Sequence, residues 1–563
     1  MNSNIKIKEN PYFDYYDVPK ITSIKDMMQQ AVAAAGDKPA FMYKVNDVVH
    51  EVTYREFDRQ TAALGSFIVS LGEAEGHIAC IGQNRYEWLV VYLMALQSAG
   101  VFVPLDRDLP EKEFIYLLQA SDSTVVFYEE NREESLRRHR DELPNIRYFI
   151  GFDRTEDDGD FLSYSECMKK GSAMDDTVYR SLESDPHALK DLVYTSGTTG
   201  SAKGVMLSEH NLVSSIYYGL MVSTVFTKSL SVLPYHHTYA GVPEILVSLH
   251  KHATICINDS LMRVLKNLQF YKPDYIYLVP AFAELFYSKI TKTVAAQNKT
   301  KAFNTLIKIG RGLRKIGIDM RKVFFKSIHE TFGGNMRKLV CGGAPIPSHI
   351  GQFFDDIGFS LIGGYGITEC SPLVCVNPDS FNDWTTAGCP LPCIEWRIDQ
   401  PNEQGIGEIL IKGDIVMLGY YKDPERTAEA LRDGWFYTGD YGYITEKNQL
   451  VITGRKQNII VMANGKNIYP EELESVLRHH DAVAELIVRG HLDKNGNTNG
   501  LEAIVYLGEP EGDETQPAAD ELLKDFRQML IEQPNYKRIT HVTIRKEPFP
   551  KTTSQKVKRQ LVD

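Results

Sequence analysis

The residues best suited to chemistry lie in a loop that combines hydroxyl groups, glycines and a lysine. The loop follows an apolar stretch that predicts a strand, and its residues include Thr195, Ser196, Gly197, Thr198, Thr199, Gly200 and Lys203. Glycines let backbone N–H groups approach phosphate oxygens, hydroxyls donate further hydrogen bonds, and lysine adds positive charge. The Gly-Lys-Ser/Thr order of a Walker A loop is absent. The pattern therefore predicts a polyphosphate site of another type, with a plain flexible turn as the alternative.

Later motifs add small residues and carboxylates in a fixed order. They are CGGAPI (341–346), GGYGITECSP (363–372), WFYTGDYGYI (435–444) and TGRKQN (453–458). A carboxylate can hold a hard divalent cation through oxygen. Another carboxylate can hold a nucleoside sugar by accepting from both ribose hydroxyls. Taken alone, CGGAPI could be an ordinary turn at the end of a strand and Glu369 a surface acid, so the role of these motifs depends on the family that they resemble.

In this order the motifs resemble those of the acyl-adenylate-forming superfamily, which includes acyl-CoA synthetases, luciferases and peptide-synthetase adenylation domains. The resemblance extends from about Tyr54 to Arg559. It implies ATP and Mg²⁺ as cofactors and an acyl-adenylate as the intermediate. It also implies a large N-terminal α/β domain and a small mobile α+β domain at the C-terminus.

The resemblance also assigns roles to residues at the matching positions. Thr368 would contact the α-phosphate, Glu369 and Thr195 would hold Mg²⁺, and Tyr365 would stack on adenine. Asp440 would hold the ribose and Arg455 the ribose or phosphate. Small residues would line the adenine slot, and these are Gly343, Ala344, Pro345, Gly364 and Gly366.

The C-terminal segment PFPKTTSQKVKRQLVD resembles the family's Pro-Lys-Thr pattern, and the alignment makes Lys556 the adenylation lysine. Such a lysine would neutralise oxygens of the carboxylate and the phosphate during in-line attack. Gln555 stands where glycine is common in the family, and Lys551 and Lys558 are the competing lysines. The family hinge corresponds to Gln457, so we predict an ATP- and acyl-binding domain at 1–456 and a lid domain at 457–563.

The segment LPYHHTYAG (233–241) aligns with the family's acyl-pocket motif and places His237 at its histidine. The alternative is the capped start of a helix. No acidic residue lies in this segment to bind an α-amino group, so an apolar acid is favoured over an amino acid. YGITECSPLVCVNP further resembles bacterial long-chain fatty acid–CoA ligases, which implies a fatty acid and CoA as substrates. Alternatives are an enzyme that loads an acyl carrier protein and a nucleotide-binding module without turnover.

The elements that would position these residues are alternating short strands and helices. Examples are HIACIG (77–82), the helical pattern 86–99 and the strand VFVPL (101–105). This alternation predicts parallel or mixed sheets covered by helices. The apolar stretch 88–105 is interrupted by polar residues, Gly100 and Pro104, so it predicts a buried helix and strand rather than a membrane span.

Composition excludes several classes of protein. The 563 residues carry a formal net charge of −12, which argues against nucleic acid as a partner. The eight cysteines are scattered, which favours reduced thiols in a cytoplasmic protein over a disulfide framework. The basic segment 299–338 predicts either peripheral contact with anionic lipid or a solvated helical face.

Overall fold

The computed structural model describes residues 10–195, 202–462, 466–492, 498–508, 517–551 and 557–562. It is a mixed α/β structure that divides into two compact units. The first comprises Met1–Glu395 with Lys412–Gly434, and the second Trp396–Ile411 with Trp435–Asp563. The expected fold class, a large α/β domain followed by a smaller α+β domain, is confirmed. The functional boundary between residues 456 and 457 stays a prediction.

An eight-stranded sheet in the first unit contains the two strands that flank the predicted phosphate loop. In spatial order its strands are Gly419–Tyr420, Lys203–Ser208, Leu189–Thr195, Val101–Leu105, His77–Ile81, Ser123–Tyr128, Tyr148–Gly151 and Phe161–Ser163. In this spatial order, the six strands from Leu189–Thr195 to Phe161–Ser163 pair in parallel with one another. Lys203–Ser208 pairs antiparallel with Leu189–Thr195. The parallel part is the strand–helix alternation that the sequence predicts.

A nine-stranded sheet carries the later motifs of the first unit. In spatial order its strands are Cys389–Pro390, Leu373–Val376, Ser360–Gly366, Lys338–Cys341, Tyr275–Leu278, Lys228–Ser231, Thr254–Ile257, Pro39–Val45 and Val48–Thr53. Its central strands are parallel. The carboxyl ends of parallel strands share one edge of the sheet, so the loops after Cys341 and Gly366 emerge on the same side.

Helices cover both sheets of the first unit. Those of eight or more residues are Ile24–Ala35, Tyr54–Ser70, Tyr86–Gln97, Glu111–Ala120, Glu130–Arg138, Tyr164–Ser172, Glu209–Val222, Val264–Tyr271, Pro280–Ala296, Thr300–Arg314 and Ser348–Ile357. Glu209–Val222 follows the second strand of the phosphate loop directly, because Ser208 and Asn211 form a reciprocal capping box at its start.

The apolar stretch from residue 88 to 105 forms a buried helix, Tyr86–Gln97, and a buried strand, Val101–Leu105. The predicted helix–strand pair is therefore confirmed. Among helices in the described ranges, none has both the length and the apolar character needed to cross a bilayer. All eight cysteines lie among the described residues; all are buried, and none is in a disulfide.

Among its described residues, the second unit contains three small sheets and two α-helices, and the smallest sheet pairs Ile460–Val461 with Asn467–Ile468. Gly407–Gly413, Trp435–Ile444 and Leu450–Arg455 pair antiparallel. A further sheet contains Glu485–Leu492, Thr498–Tyr506 and His541–Arg545. Helices Pro470–Leu477 and Ala519–Met529 pack on it, and the first begins with proline, which suits the first helical turn.

Candidate active site

The segment predicted to bind phosphate lies in sequence between two antiparallel strands, Leu189–Thr195 and Lys203–Ser208. Thr195 ends one strand, Lys203 begins the next, and the two are register partners. Both side chains are partly exposed. Ser196, Gly197, Thr198, Thr199 and Gly200, which are predicted to contact phosphate, lie outside the described residues. The structure therefore gives the positions of Thr195 and Lys203, the residues at the two ends of the predicted loop.

A buried aspartate, Asp191, lies on the strand that leads into this loop, and the sequence motifs did not include it. It is 3% exposed, and its Oδ1 atom has no hydrogen-bond partner among the described residues. Burial raises the pKa of its carboxyl to about 8. The Asp191 carboxyl is therefore largely protonated, and so uncharged, at neutral pH. We interpret it as a structural residue.

The GGYGITECSP motif forms the end of a strand followed by a tight turn. The strand Ser360–Gly366 pairs antiparallel with Leu373–Val376, and Tyr365 lies opposite Cys375. The backbones approach closely at Gly366, where a Cβ atom would lie 2.1 Å from the carbonyl oxygen of Pro372. Tyr365 and Gly364 are partly exposed and Gly366 is exposed, so this edge is open on one side.

Glu369 is hydrogen-bonded to Tyr420, a residue that the sequence motifs did not include. Its Oε1 atom accepts a hydrogen bond of 2.9 Å from the Tyr420 hydroxyl. The pKa of Tyr420 is raised by burial and then by the nearby Glu369 carboxylate, so the phenol remains a donor. The Lys203 ammonium lies 5.3 Å from the centre of the same tyrosine ring, within cation–π range. Tyr420 thus joins the predicted metal residue to the predicted phosphate lysine.

The residues around Glu369 fit a magnesium ion that arrives with a nucleotide. The second carboxylate oxygen, Oε2, accepts no hydrogen bond within the described ranges. Those ranges hold no group of three or more His, Cys, Asp or Glu residues that could bind a metal alone. Mg²⁺ is commonly held by one or two carboxylates together with substrate phosphates. A single carboxylate linked through Tyr420 to the predicted phosphate lysine, Lys203, matches that mode.

The His237 segment reaches the same region through its neighbours. The Thr238 Oγ1 and Thr368 Oγ1 atoms are 3.5 Å apart, and both residues are buried. His237 itself closes a turn: its N–H donates to the Pro234 carbonyl at 3.1 Å, and its Nδ1 accepts from the Tyr239 N–H at 3.2 Å. The structure therefore brings the predicted acyl-pocket segment beside the predicted α-phosphate residue.

Tyr239 connects this segment to the predicted adenine loop. Its hydroxyl donates to the carbonyl oxygens of Leu278 and Val340, at 3.3 and 3.1 Å. Its ring leaves no room for a side chain at residue 342, where a Cβ atom would lie 2.9 Å from the ring. The next three residues, Gly343, Ala344 and Pro345, form an exposed loop, in which Gly343 has a φ of +91°. That left-handed conformation favours glycine.

In the second unit, Asp440 and Arg455 are register partners on adjacent antiparallel strands. The Arg455 Nε atom lies 3.1 Å from the Asp440 Oδ1 atom, and the aspartate side chain is only 4% exposed. The structure thus pairs Asp440, predicted to hold the ribose, with Arg455, predicted to contact the ribose or the phosphate. Lys556 lies outside the described residues, and its role stays a prediction.

Comparison with known proteins places this arrangement in a family. The AMP-binding enzyme family matches residues 28–421. Because this match covers more than half of the chain, the protein belongs to the AMP-binding enzyme family. The membership confirms the resemblance drawn from the motifs and, with it, an ATP-dependent enzyme of the AMP-forming type.

Three curated relatives illustrate the range of activities among similar proteins. Long-chain-fatty-acid–CoA ligase FadD15 of Mycobacterium bovis is 29% identical over 79% of this chain and 76% of its own. Long-chain-fatty-acid–[acyl-carrier-protein] ligase AEE15, chloroplastic, of Arabidopsis thaliana is 26% identical over 91% of this chain and 79% of its own. Human long-chain-fatty-acid–CoA ligase 1 is 25% identical over 86% of this chain and 73% of its own.

Solved structures share the fold at low sequence identity. The anthranilate CoA ligase AuaEII, in complex with anthranoyl-AMP, superimposes with a TM-score of 0.76 at 18% identity, over 97% of both chains. ATP-bound MatB from Rhodopseudomonas palustris gives a TM-score of 0.74 at 21% identity, over 96% of this chain and 98% of MatB. These likenesses confirm the predicted fold class.

Proposed function

We propose that this enzyme is a long-chain fatty acid–CoA ligase of the cytoplasm. The observation that carries the proposal is the Tyr420 link between Glu369 and Lys203, with Thr368 held beside the His237 segment. These contacts lie within the first unit and support the proposal, because they join the lysine predicted to contact phosphate to the carboxylate predicted to hold Mg²⁺, and Thr368 to the predicted acyl-pocket motif. The named activities of FadD15 and of human ligase 1 support a long-chain fatty acid and CoA as substrates.

The first half-reaction forms the acyl-adenylate. A carboxylate oxygen of the fatty acid attacks the α-phosphorus of ATP, the bond to the bridging oxygen breaks, and pyrophosphate leaves. Lys203 balances charge on the phosphates, Thr368 donates to the α-phosphate, and Lys556 neutralises the attacking and attacked oxygens. Glu369 and Thr195 would hold Mg²⁺, whose charge would offset the charge that builds on the phosphates.

The second half-reaction transfers the acyl group. The thiol of CoA releases its proton to solvent and its sulfur bonds to the acyl carbon. The bond from the acyl carbon to the AMP oxygen breaks, and AMP leaves with that electron pair. In this proposal the lid domain reorients at Gln457, which removes Lys556 and admits the thiol. Asp440 and Arg455 hold the nucleoside during both halves.

The acceptor could instead be an acyl carrier protein, as the name of the Arabidopsis relative states for that protein. CoA and a carrier protein present the same phosphopantetheine arm, so the residues above serve either acceptor. A nucleotide-binding module without turnover is disfavoured, because Lys203, Glu369, Asp440 and Lys556 are all present. Peripheral membrane contact through the basic segment 299–338 is also part of the proposal.

The test is acid-dependent release of pyrophosphate from ATP, measured across short to long fatty acids and several aryl acids, with and without CoA. A long-chain optimum with many turnovers only in the presence of CoA supports the ligase. Release limited to about one equivalent, unchanged by CoA but made catalytic by a carrier protein, contradicts CoA as the acceptor. An optimum on aryl acids contradicts the fatty acid.

A further inference from the structure

The acyl-pocket segment contains a second histidine, His236, to which the motif alignment assigns no role. Its neighbour His237 accepts a hydrogen bond at Nδ1 from the Tyr239 N–H. His236 forms no hydrogen bond through its ring within the ranges that the structure describes, but its Nε2 atom lies 3.6 Å from the Oδ2 atom of Asp106. A histidine beside a carboxylate is the pairing that many enzymes use to accept a proton.

Loops of the eight-stranded sheet hold this pair in place. Asp106 directly follows one parallel strand of that sheet, and Asn84 lies in the loop after the neighbouring parallel strand. The Asn84 side chain donates to the Leu233 carbonyl at 2.7 Å and accepts from the Tyr235 N–H at 3.1 Å. Because Tyr235 is buried and adjacent to His236, these bonds fix where the histidine emerges from the segment. The carboxyl edge of the sheet therefore positions both members of the pair.

Groups predicted to bind the nucleotide lie on both sides of the pair. Thr195 ends the strand next to the one before Asp106, and the two strands run parallel, so both residues lie at the carboxyl edge of the sheet. Thr238, two residues after His236, has its Oγ1 atom 3.5 Å from that of Thr368, the residue predicted to contact the α-phosphate. In an acyl-adenylate one oxygen joins the α-phosphorus to the acyl carbon. A base placed between these groups is therefore close to the carbon that a thiol attacks.

The environment of His236 suits a group that accepts a proton at neutral pH. Its side chain is only 16% exposed, and burial lowers the pKa of the imidazole. The charged groups that face it lie on the loop that begins at Asp106: the carboxylates of Asp106 and Asp108 raise the pKa, and the Arg107 guanidinium lowers it. The ring is therefore neutral at neutral pH. With its Nε2 proton directed to the Asp106 carboxylate, Nδ1 is the basic atom.

We propose that His236, oriented by Asp106, is the general base for the thiol in the second half-reaction. The S–H proton passes to His236 Nδ1 as the sulfur bonds to the acyl carbon, the bond from that carbon to the AMP oxygen breaks, and AMP leaves with the electron pair. The imidazolium, stabilised by the Asp106 carboxylate, then gives the proton to solvent, which restores the base. The inference rests on the proposed function only for the acyl-adenylate on which it acts.

Transfer from preformed acyl-AMP to phosphopantetheine, measured in a single turnover from about pH 6 to about pH 9, tests the base. Phosphopantetheine is the arm that CoA and a carrier protein share, so the result does not depend on the acceptor. His236→Gln should slow transfer about 10²-fold at about pH 7, since a general base contributes at least about that much, and should keep the acid-dependent burst of pyrophosphate. The defect should shrink at least about tenfold toward about pH 9, because a thiol with a pKa near about 8.5 ionises there without a base.

Asp106→Asn is the second variant, because it keeps the base and removes only the carboxylate that orients it. It should slow transfer less than His236→Gln and show the same recovery with rising pH, so either variant alone can contradict the proposal. The control is His187→Gln, at an exposed histidine just before the strand Leu189–Thr195 and so at the opposite edge of the sheet. It should behave like wild type in both half-reactions.

Two results would overturn the assignment. One is equal loss of pyrophosphate release and of transfer in His236→Gln, and the other is a transfer defect that stays constant as pH rises. Either would leave the contact between His236 and Asp106 as a purely structural one. Thermal unfolding of each variant shows that it is folded. Acid-dependent pyrophosphate release by the wild type reports the proposed function separately, because transfer is started from acyl-AMP.

Discussion

At the scale of single residues, Lys556 is expected to serve only one half of the reaction. Its charge neutralises oxygens of the carboxylate and of the phosphate during attack on the α-phosphate. Thioester formation does not involve that attack and does not need this charge. Lys556→Ala should lower adenylate formation by about 10²–10³-fold while transfer from preformed acyl-AMP to CoA is largely kept. Pyrophosphate release and thioester formation, measured separately, check this. Lys558→Ala is the control, and equal loss of both half-reactions in Lys556→Ala would show that the lysine is misassigned.

Glu369 and Tyr420 define a second residue-scale prediction. Glu369→Gln should raise the Mg²⁺ concentration needed for turnover, because an amide binds the cation more weakly than a carboxylate. Tyr420→Phe removes the hydrogen bond that orients this carboxylate and should weaken the apparent Mg²⁺ affinity about tenfold. A titration of initial rate against Mg²⁺ measures both effects.

The neighbouring Tyr421 offers a close control for Tyr420→Phe. Its hydroxyl donates to Asp122 at 2.6 Å, away from Glu369. Tyr421→Phe should leave the Mg²⁺ titration unchanged. If both phenylalanine variants behaved alike, the Tyr420 hydroxyl would have no specific role at the metal carboxylate.

At the scale of elements, the turn after strand Ser360–Gly366 depends on close backbone contact. Gly366→Ala would place a Cβ atom 2.1 Å from the Pro372 carbonyl oxygen, and that oxygen belongs to backbone. We expect a loss of about 1–3 kcal/mol in unfolding free energy, which is typical of overpacking. Gly312→Ala, in a helix where nothing lies within 4 Å, should instead be neutral or stabilising by up to about 1 kcal/mol. Thermal unfolding of the two variants compares them directly.

At the scale of the whole molecule, Asp191 makes stability depend on pH. Burial raises the pKa of its carboxyl to about 8, above the value of 3.8 for an unperturbed aspartate. Between these two values the folded chain keeps a proton that the unfolded chain has lost, so stability falls as pH rises. This group contributes at most about 1.4 kcal/mol for each pH unit.

Asp191→Asn removes this titration while keeping the size of the side chain. The variant should gain thermal stability relative to wild type as pH rises from about 5 to 8. Asp141→Asn, at an exposed position, is the control and should track the wild type. A constant difference between Asp191→Asn and wild type over this range would show that Asp191 is ionised in the folded chain.

The sequence by itself determined the motifs, the order in which they occur and most of the elements that carry them. The phosphate loop, GGYGITECSP and the helix–strand pair at 86–105 are each contiguous, so local composition and periodicity reveal them. Tertiary structure alone decided that Tyr420 meets Glu369, that Thr238 meets Thr368, and that the Oδ1 atom of buried Asp191 has no hydrogen-bond partner among the described residues. The first two contacts join residues that are 51 and 130 positions apart in the chain, and the burial of Asp191 depends on a whole sheet. They follow from strand order and register, which no short stretch of sequence encodes.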